Sequence, residues 1–145
     1  MKTLTVVVAV TMMAATVKAQ NVASTPERSY FADAAEYQCI NATKAADKYL
    51  ACLSSENEGV VESALAHVAM MKVMVPACDY KALKTKVDEI VRSRASAETR
   101  YKAFLTKTVL EEPGMFDGMA RGRYSDADGF FGAVASRMRD TFASR

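Results

Sequence analysis

The sequence predicts an all-α fold: a single small helical bundle, stapled by a disulfide and preceded by a cleaved signal peptide. Three observations carry that expectation. Apolar residues recur at spacings of three and four through most of the chain. Helix start and stop signals flank those runs. The chain also opens with an apolar stretch behind a single lysine.

That opening is read first, because it changes the charge argument. Lys2 supplies the positive start, Leu4 to Val17 is apolar apart from Thr5, Thr11 and Thr16, and Val17-Lys18-Ala19 fits a cleavage site. The apolar run covers 14 residues, short of the ~20 that a membrane-spanning helix needs. Residues 1–19 are therefore expected to be a signal peptide, leaving a mature domain over 20–145. Its 126 residues suffice for one domain with a core. The formal net charge of +2 rests on Lys2 and Lys18, so the mature chain balances 17 basic against 17 acidic groups. A neutral chain gives no global case for nucleic acid. No later apolar run is long enough to span a bilayer, so a secreted, extracellular product without a transmembrane segment is expected.

Four helices are expected, near 24–53, 59–74, 79–110 and 125–143. The first begins at Ser24-Thr25-Pro26-Glu27, with a capping serine, proline in the first turn and glutamate three residues on. Phe31, Ala35, Cys39, Ala42, Ala46, Tyr49 and Leu53 form its apolar stripe. The loop Ser54–Gly59 turns the chain into a second helix, which stops at Val75 before Pro76. From Ala64 to Val75 only His67 and Lys72 are polar, the composition of a helix at the centre of a bundle.

The third helix is expected to start at Asp79 as N-cap. Leu83, Val87, Ile90, Ala97, Tyr101, Phe104 and Leu105 form its stripe, and the Glu98/Lys102 pair lies on a wet face. Arg94 falls inside the stripe. Either it pairs with Glu98 or the helix breaks near Ser93–Ser96; with no Gly or Pro there, one continuous helix is expected. Asp79 to Lys107 carries eight basic against four acidic residues, read as a solvated face rather than a site for an anionic partner. A glycine-containing loop, 113–124, follows. Its Met115, Phe116 and Met119 are read as a plug for the bundle end, with a lid over a pocket as the alternative. Ser125 is expected to cap the last helix, striped by Ala127, Phe131, Val134, Met138 and Phe142.

The three cysteines constrain the hairpin. On one helix, Cys39 and Cys52 lie thirteen positions apart, about 20 Å, whereas a disulfide needs Cα atoms within ~7 Å. The midpoint between Cys39 and Cys78 falls at Glu58–Gly59, in the loop; that between Cys52 and Cys78 falls on Leu65, inside a helix. A Cys39–Cys78 disulfide is therefore expected, worth about 3–4 kcal/mol on a chain-entropy estimate. Cys52 is left as the free thiol, either buried and inert or the link of a covalent dimer. Asn41-Ala42-Thr43 is an N-glycosylation sequon, so Asn41 is a candidate glycan site.

Chemistry finds little purchase. With His67 the only histidine and no CxxC pair, there is no candidate metal centre, cofactor or nucleophile–base pair. Asp126-Ala127-Asp128-Gly129 fails as a calcium loop, because Tyr124 and Ala135 fall where ligands belong. The glycines do not make a phosphate cradle. The expectation is a non-enzymatic binding protein carrying a small hydrophobic ligand in a cavity lined by Met70, Met71, Met74, Met115, Phe116 and Phe131. The alternative is a protein-interaction or effector module with a filled core and an extracellular protein partner, as a monomer or a Cys52-linked dimer.

Overall fold

The computed structural model describes residues 29–31 and 39–144, with side chains of the first helix from Lys44 onward. Five helices form a bundle: α1 (Cys39–Leu53), α2 (Glu58–Met74), α3 (Lys81–Val91), α4 (Ala97–Glu111) and α5 (Ala127–Ala143). No strand occurs among the described residues. The expected signal peptide, residues 1–19, lies outside them. No described helix is long and apolar enough to cross a membrane.

The centre is α2, which α1, α4 and α5 all touch. Val61, Ala64, Leu65, Ala66, Val68, Ala69, Met70 and Met71 are buried along it, with alanines admitting close neighbours and methionines filling the gaps. Its N-terminus is set by Asn57, whose side chain accepts from Gly59 and Val60 N–H at 3.0 and 3.4 Å. At the other end the buried Tyr80 hydroxyl lies 2.9 Å from the Met71 carbonyl and 3.0 Å from that of Val75. The hydroxyl thereby adds to two carbonyls at the helix end that also accept from the backbone N–H of Val75 and Cys78.

The expected helix 79–110 is two helices. Arg92 ends α3 and Ser96 caps α4, its hydroxyl accepting from Thr99 N–H at 3.1 Å. Between them, Ser93 donates to the Ile90 carbonyl at 2.8 Å and accepts from Ala95 N–H at 3.1 Å. Serine side chains satisfy the open backbone groups, so the break needs neither glycine nor proline. The α3 cap also differs: Tyr80 holds the cap position, and Asp79 accepts from Lys81 N–H at 2.8 Å. Asp126, rather than Ser125, caps α5 by accepting from Gly129 N–H at 2.7 Å.

The expected first helix, 24–53, is not continuous. Ser29, Tyr30 and Phe31 are non-helical, and Tyr30 N–H donates to the Tyr124 carbonyl at 2.9 Å instead of to its own helix. This short segment carries two rings into the bundle. Phe31 is 5% exposed and meets His67, Phe130 and Tyr124 at ring-centre distances of 5.1, 5.0 and 5.9 Å. Tyr30 places its hydroxyl 2.6 Å from that of Ser63. Residue 31 on the expected stripe is thus buried, but by an edge-to-face aromatic cluster rather than by a helix face.

The connection 113–124 makes two 3-10 turns, Pro113–Phe116 and Met119–Arg121. Phe116 is fully buried, and its turn touches α2, α4 and α5. Gly118 takes φ 89°, a left-handed conformation that favours glycine.

Phe31→Ala is expected to lower stability by about 3–5 kcal/mol, because the cavity opens among four aromatic rings. Chemical denaturation of the purified chain measures it; a loss below about 1 kcal/mol contradicts the aromatic anchor.

Candidate functional site

The most unusual helix is α4, which faces the opposite way from the expected one at Lys102, Tyr101 and Phe104. Its buried side holds Thr99, Lys102 and Thr106 beside Ala103, Leu105, Val109 and Leu110. Its outer side exposes Tyr101 and Phe104, 53% and 45% accessible. The continuous helix expected from sequence turned Tyr101 and Phe104 inward and Lys102 outward. The break at Arg92–Ser96 resets the phase, and polar partners waiting on α2 and α5 complete the inversion.

Lys102 is the centre of that polar interior. Its Nζ lies 2.6 Å from Glu62 on α2, 2.8 Å from Glu98 one turn back and 2.6 Å from Asp128 in the first turn of α5. An ammonium has three N–H donors, and three carboxylates receive them. Burial alone would push the amine down. The hydrogen bonds of Asp128, Glu62 and Glu98 outweigh it and hold the group above the ordinary lysine range. Thr99 extends the network, its hydroxyl 2.7 Å from Glu62 and 3.1 Å from Glu58. Glu58 also accepts from Ser96 N–H at 2.9 Å, and these bonds lower its pKa. Deeper in, Thr106 hydroxyl donates to the Lys102 and Leu65 carbonyls at 3.0 and 3.3 Å. Oxygens of Glu62, Glu98 and Asp128 lie close enough together to hold a metal ion. Lys102 supplies the compensating cation instead, so the cluster reads as a structural clamp of α2, α4 and α5 rather than a metal centre.

The six residues expected to line a cavity are distributed through the packed interior. Met70, Met71, Phe116 and Phe131 are buried in the core, and Met74 and Met115 pack against it partly buried. They do not line either of two open clefts. One cleft, about 410 Å³, sits where the ends of α1 and α3 meet the starts of α2 and α4, over Leu53, Val61 and Ile90. The other, about 520 Å³, lies between α1 and the first half of α2, lined by Tyr49, Cys52, Val60, Ser63, Ala64 and His67.

His67 is built into the wall of that second cleft. Its Nδ1–H donates to the Ser63 carbonyl at 2.9 Å, and Tyr49 stacks on it at 6.0 Å. Cys52 is half-buried and is the free thiol among the described residues. Burial, followed by the neighbouring Cys52 and Tyr30, pushes the Tyr49 phenol up. Cys39 opens α1 and Asn41 follows it in the first turn, but their side chains lie outside the described residues. Cys78 sits half-buried in the turn before α3, its N–H donating to the Val75 carbonyl at 3.2 Å.

Sequence reasoning missed Lys102 as an interior group. The available signal was the threonine pair Thr99 and Thr106, which shares its face with Glu62 and Glu58 across the interface.

Two outcomes follow from this geometry. Lys102→Ala leaves Glu62 without its cation and is expected to cost about 2–4 kcal/mol in urea denaturation; a loss within about 0.5 kcal/mol contradicts the clamp. Alkali tests the second. Burial raises the Tyr80 phenol from 10.0 to about 12, and Lys102 is raised as well. A group raised on folding stabilises fully below its unfolded pKa and loses that contribution as pH climbs through the folded one. Stability is therefore expected to fall by about 2–3 kcal/mol between pH 10 and 12 from Tyr80 alone, with that part of the loss absent in Tyr80→Phe. An unchanged pH profile in Tyr80→Phe contradicts this reading.

No protein-family model, curated protein or solved structure compared with the chain matches it.

Proposed function

We propose that the chain is a secreted, non-enzymatic interaction protein that acts through its surface, with the outer face of α4 as its contact. The observation that supports this most is the reversed helix. Tyr101 and Phe104 sit three residues apart on one exposed face, where isolated apolar residues are common but paired aromatics on a helix favour a partner. The burial of Met70, Met71, Phe116 and Phe131 also favours a filled core over a central ligand cavity.

Export is part of the proposal. The lysine-led apolar start supports a signal peptide over residues 1–19, and an oxidising destination suits a Cys39–Cys78 disulfide. Cys52 is the free thiol among the described residues. Such a link would tie the start of α1 to the turn beyond α2, at the end of the hairpin away from its loop. Asn41 remains a candidate glycan acceptor on the same helix.

A carrier function keeps one foothold, the cleft between α1 and α2. Its volume of about 520 Å³ falls in the range of small-molecule sites, and Tyr49, Val60 and Ala64 give it apolar walls.

The experiment is a photo-reactive phenylalanine at position 104 in the secreted chain, irradiated in its native extracellular medium. A discrete protein adduct, lost when Tyr101 is also changed to Ser, is the expected result. The absence of any adduct, together with displacement of a fluorescent fatty acid from wild-type protein at micromolar concentration, would replace the surface reading with the carrier.

A further inference from the structure

We infer that the partner of the α4 face is a second copy of this chain, packed antiparallel across a two-fold axis near Phe104. This rests on the surface reading above and names its partner. The outer side of α4 carries Ala97, Arg100, Tyr101, Phe104 and Glu111, all exposed. At 100° per residue, Arg100 and Glu111 fall within about 20° of each other on one flank of the aromatic pair. A two-fold that sets helices antiparallel returns each flank to itself. Arg100 then faces Glu111 of the partner subunit, twice per dimer, while the Phe104 and Tyr101 rings of both copies meet between them.

The charges support self-pairing. Lys84 at 3.0 Å and Lys107 at 3.7 Å, both from its own chain, meet Glu111 through the same oxygen, Oε1, and no ion pair among the described residues uses its Oε2. Lys107 is itself held at 2.6 Å by Asp88. Arg100 has no carboxylate of its own within ion-pair distance among the described residues. It is the flank's unspent cation, and an acid offered by a second copy answers it. The mature chain expected here is formally neutral, so two copies meet without long-range repulsion.

Size sets the strength. The face is one helix of 15 residues, roughly 22 Å long, at the small end of specific interfaces. The dimer is therefore weak and reversible, with a Kd on the order of 10–100 µM.

Analytical ultracentrifugation of the mature chain, from about 1 to about 500 µM, tests the pairing. Wild type is expected to shift from monomer to dimer. Phe104→Ser should weaken the dimer about tenfold or more with its helical circular dichroism intact. Arg100→Glu and Glu111→Arg should each weaken it, and the double reversal should restore it. A monomer throughout, or a double reversal no better than the singles, overturns the inference. So does association abolished by Cys52→Ser and untouched by Phe104→Ser, since that pairing is covalent. The photo-reactive residue at position 104 separates this inference from its parent. An adduct of twice the chain mass supports both. An adduct only to a different protein sinks self-pairing and leaves the surface reading standing.

Discussion

One ammonium among three carboxylates decides which way α4 faces. Lys102 reaches acids on α2, α4 and α5 at 2.6 to 2.8 Å, and those on α2 and α5 tie the inward face of the helix to its neighbours. A buried charge is costly unless every donor is met. The cost of losing these partners therefore acts as a restoring force on the helix rotation. The same orientation buries Ala103, Leu105, Val109 and Leu110 and leaves Tyr101 and Phe104 outside. Their exposure is the consequence of the clamp, and the contact face follows from it.

The remaining helices arrange themselves around α2 by more ordinary means. From Ala64 onward it is apolar apart from His67 and Lys72, so neighbours can cover it from several directions, and its ends are held by Asn57 and Tyr80. The segment Tyr30–Phe31 closes one side through rings, and Phe116 closes one end. Both are loop residues used as core. Together they bring two large rings into the interior of a chain of modest length.

Much of this fold was legible in the residues. The all-helical class, the central position of the 59–74 segment and the joint at Pro76 follow from apolar periodicity and backbone chemistry. The break between α3 and α4 was not, because it depends on Ser93 bonding the end of α3 and Ser96 capping the start of α4 rather than on glycine or proline. Carrying one phase across that break turned Lys102 outward and Tyr101 inward. A rule that places lysine in water fails where the interior already offers carboxylates. The spacing of Phe31, Ala35 and Cys39 misled for a related reason: a buried ring at position 31 satisfies the pattern whether or not the backbone is helical there. Of the residues expected to line a cavity, Met70, Met71, Phe116 and Phe131 are buried in the core, Met74 and Met115 pack partly buried against it, and none lines either cleft.

Side-chain nitrogen NMR of the lysines reports on the clamp most directly. The account predicts one ammonium, assigned to Lys102 by substitution, whose protons exchange slowly enough to be seen near neutral pH and couple to carboxylate carbons. A Lys102 ammonium that exchanges as fast as the lysines on the surface would contradict it, and the reversed orientation of α4 would fall with it.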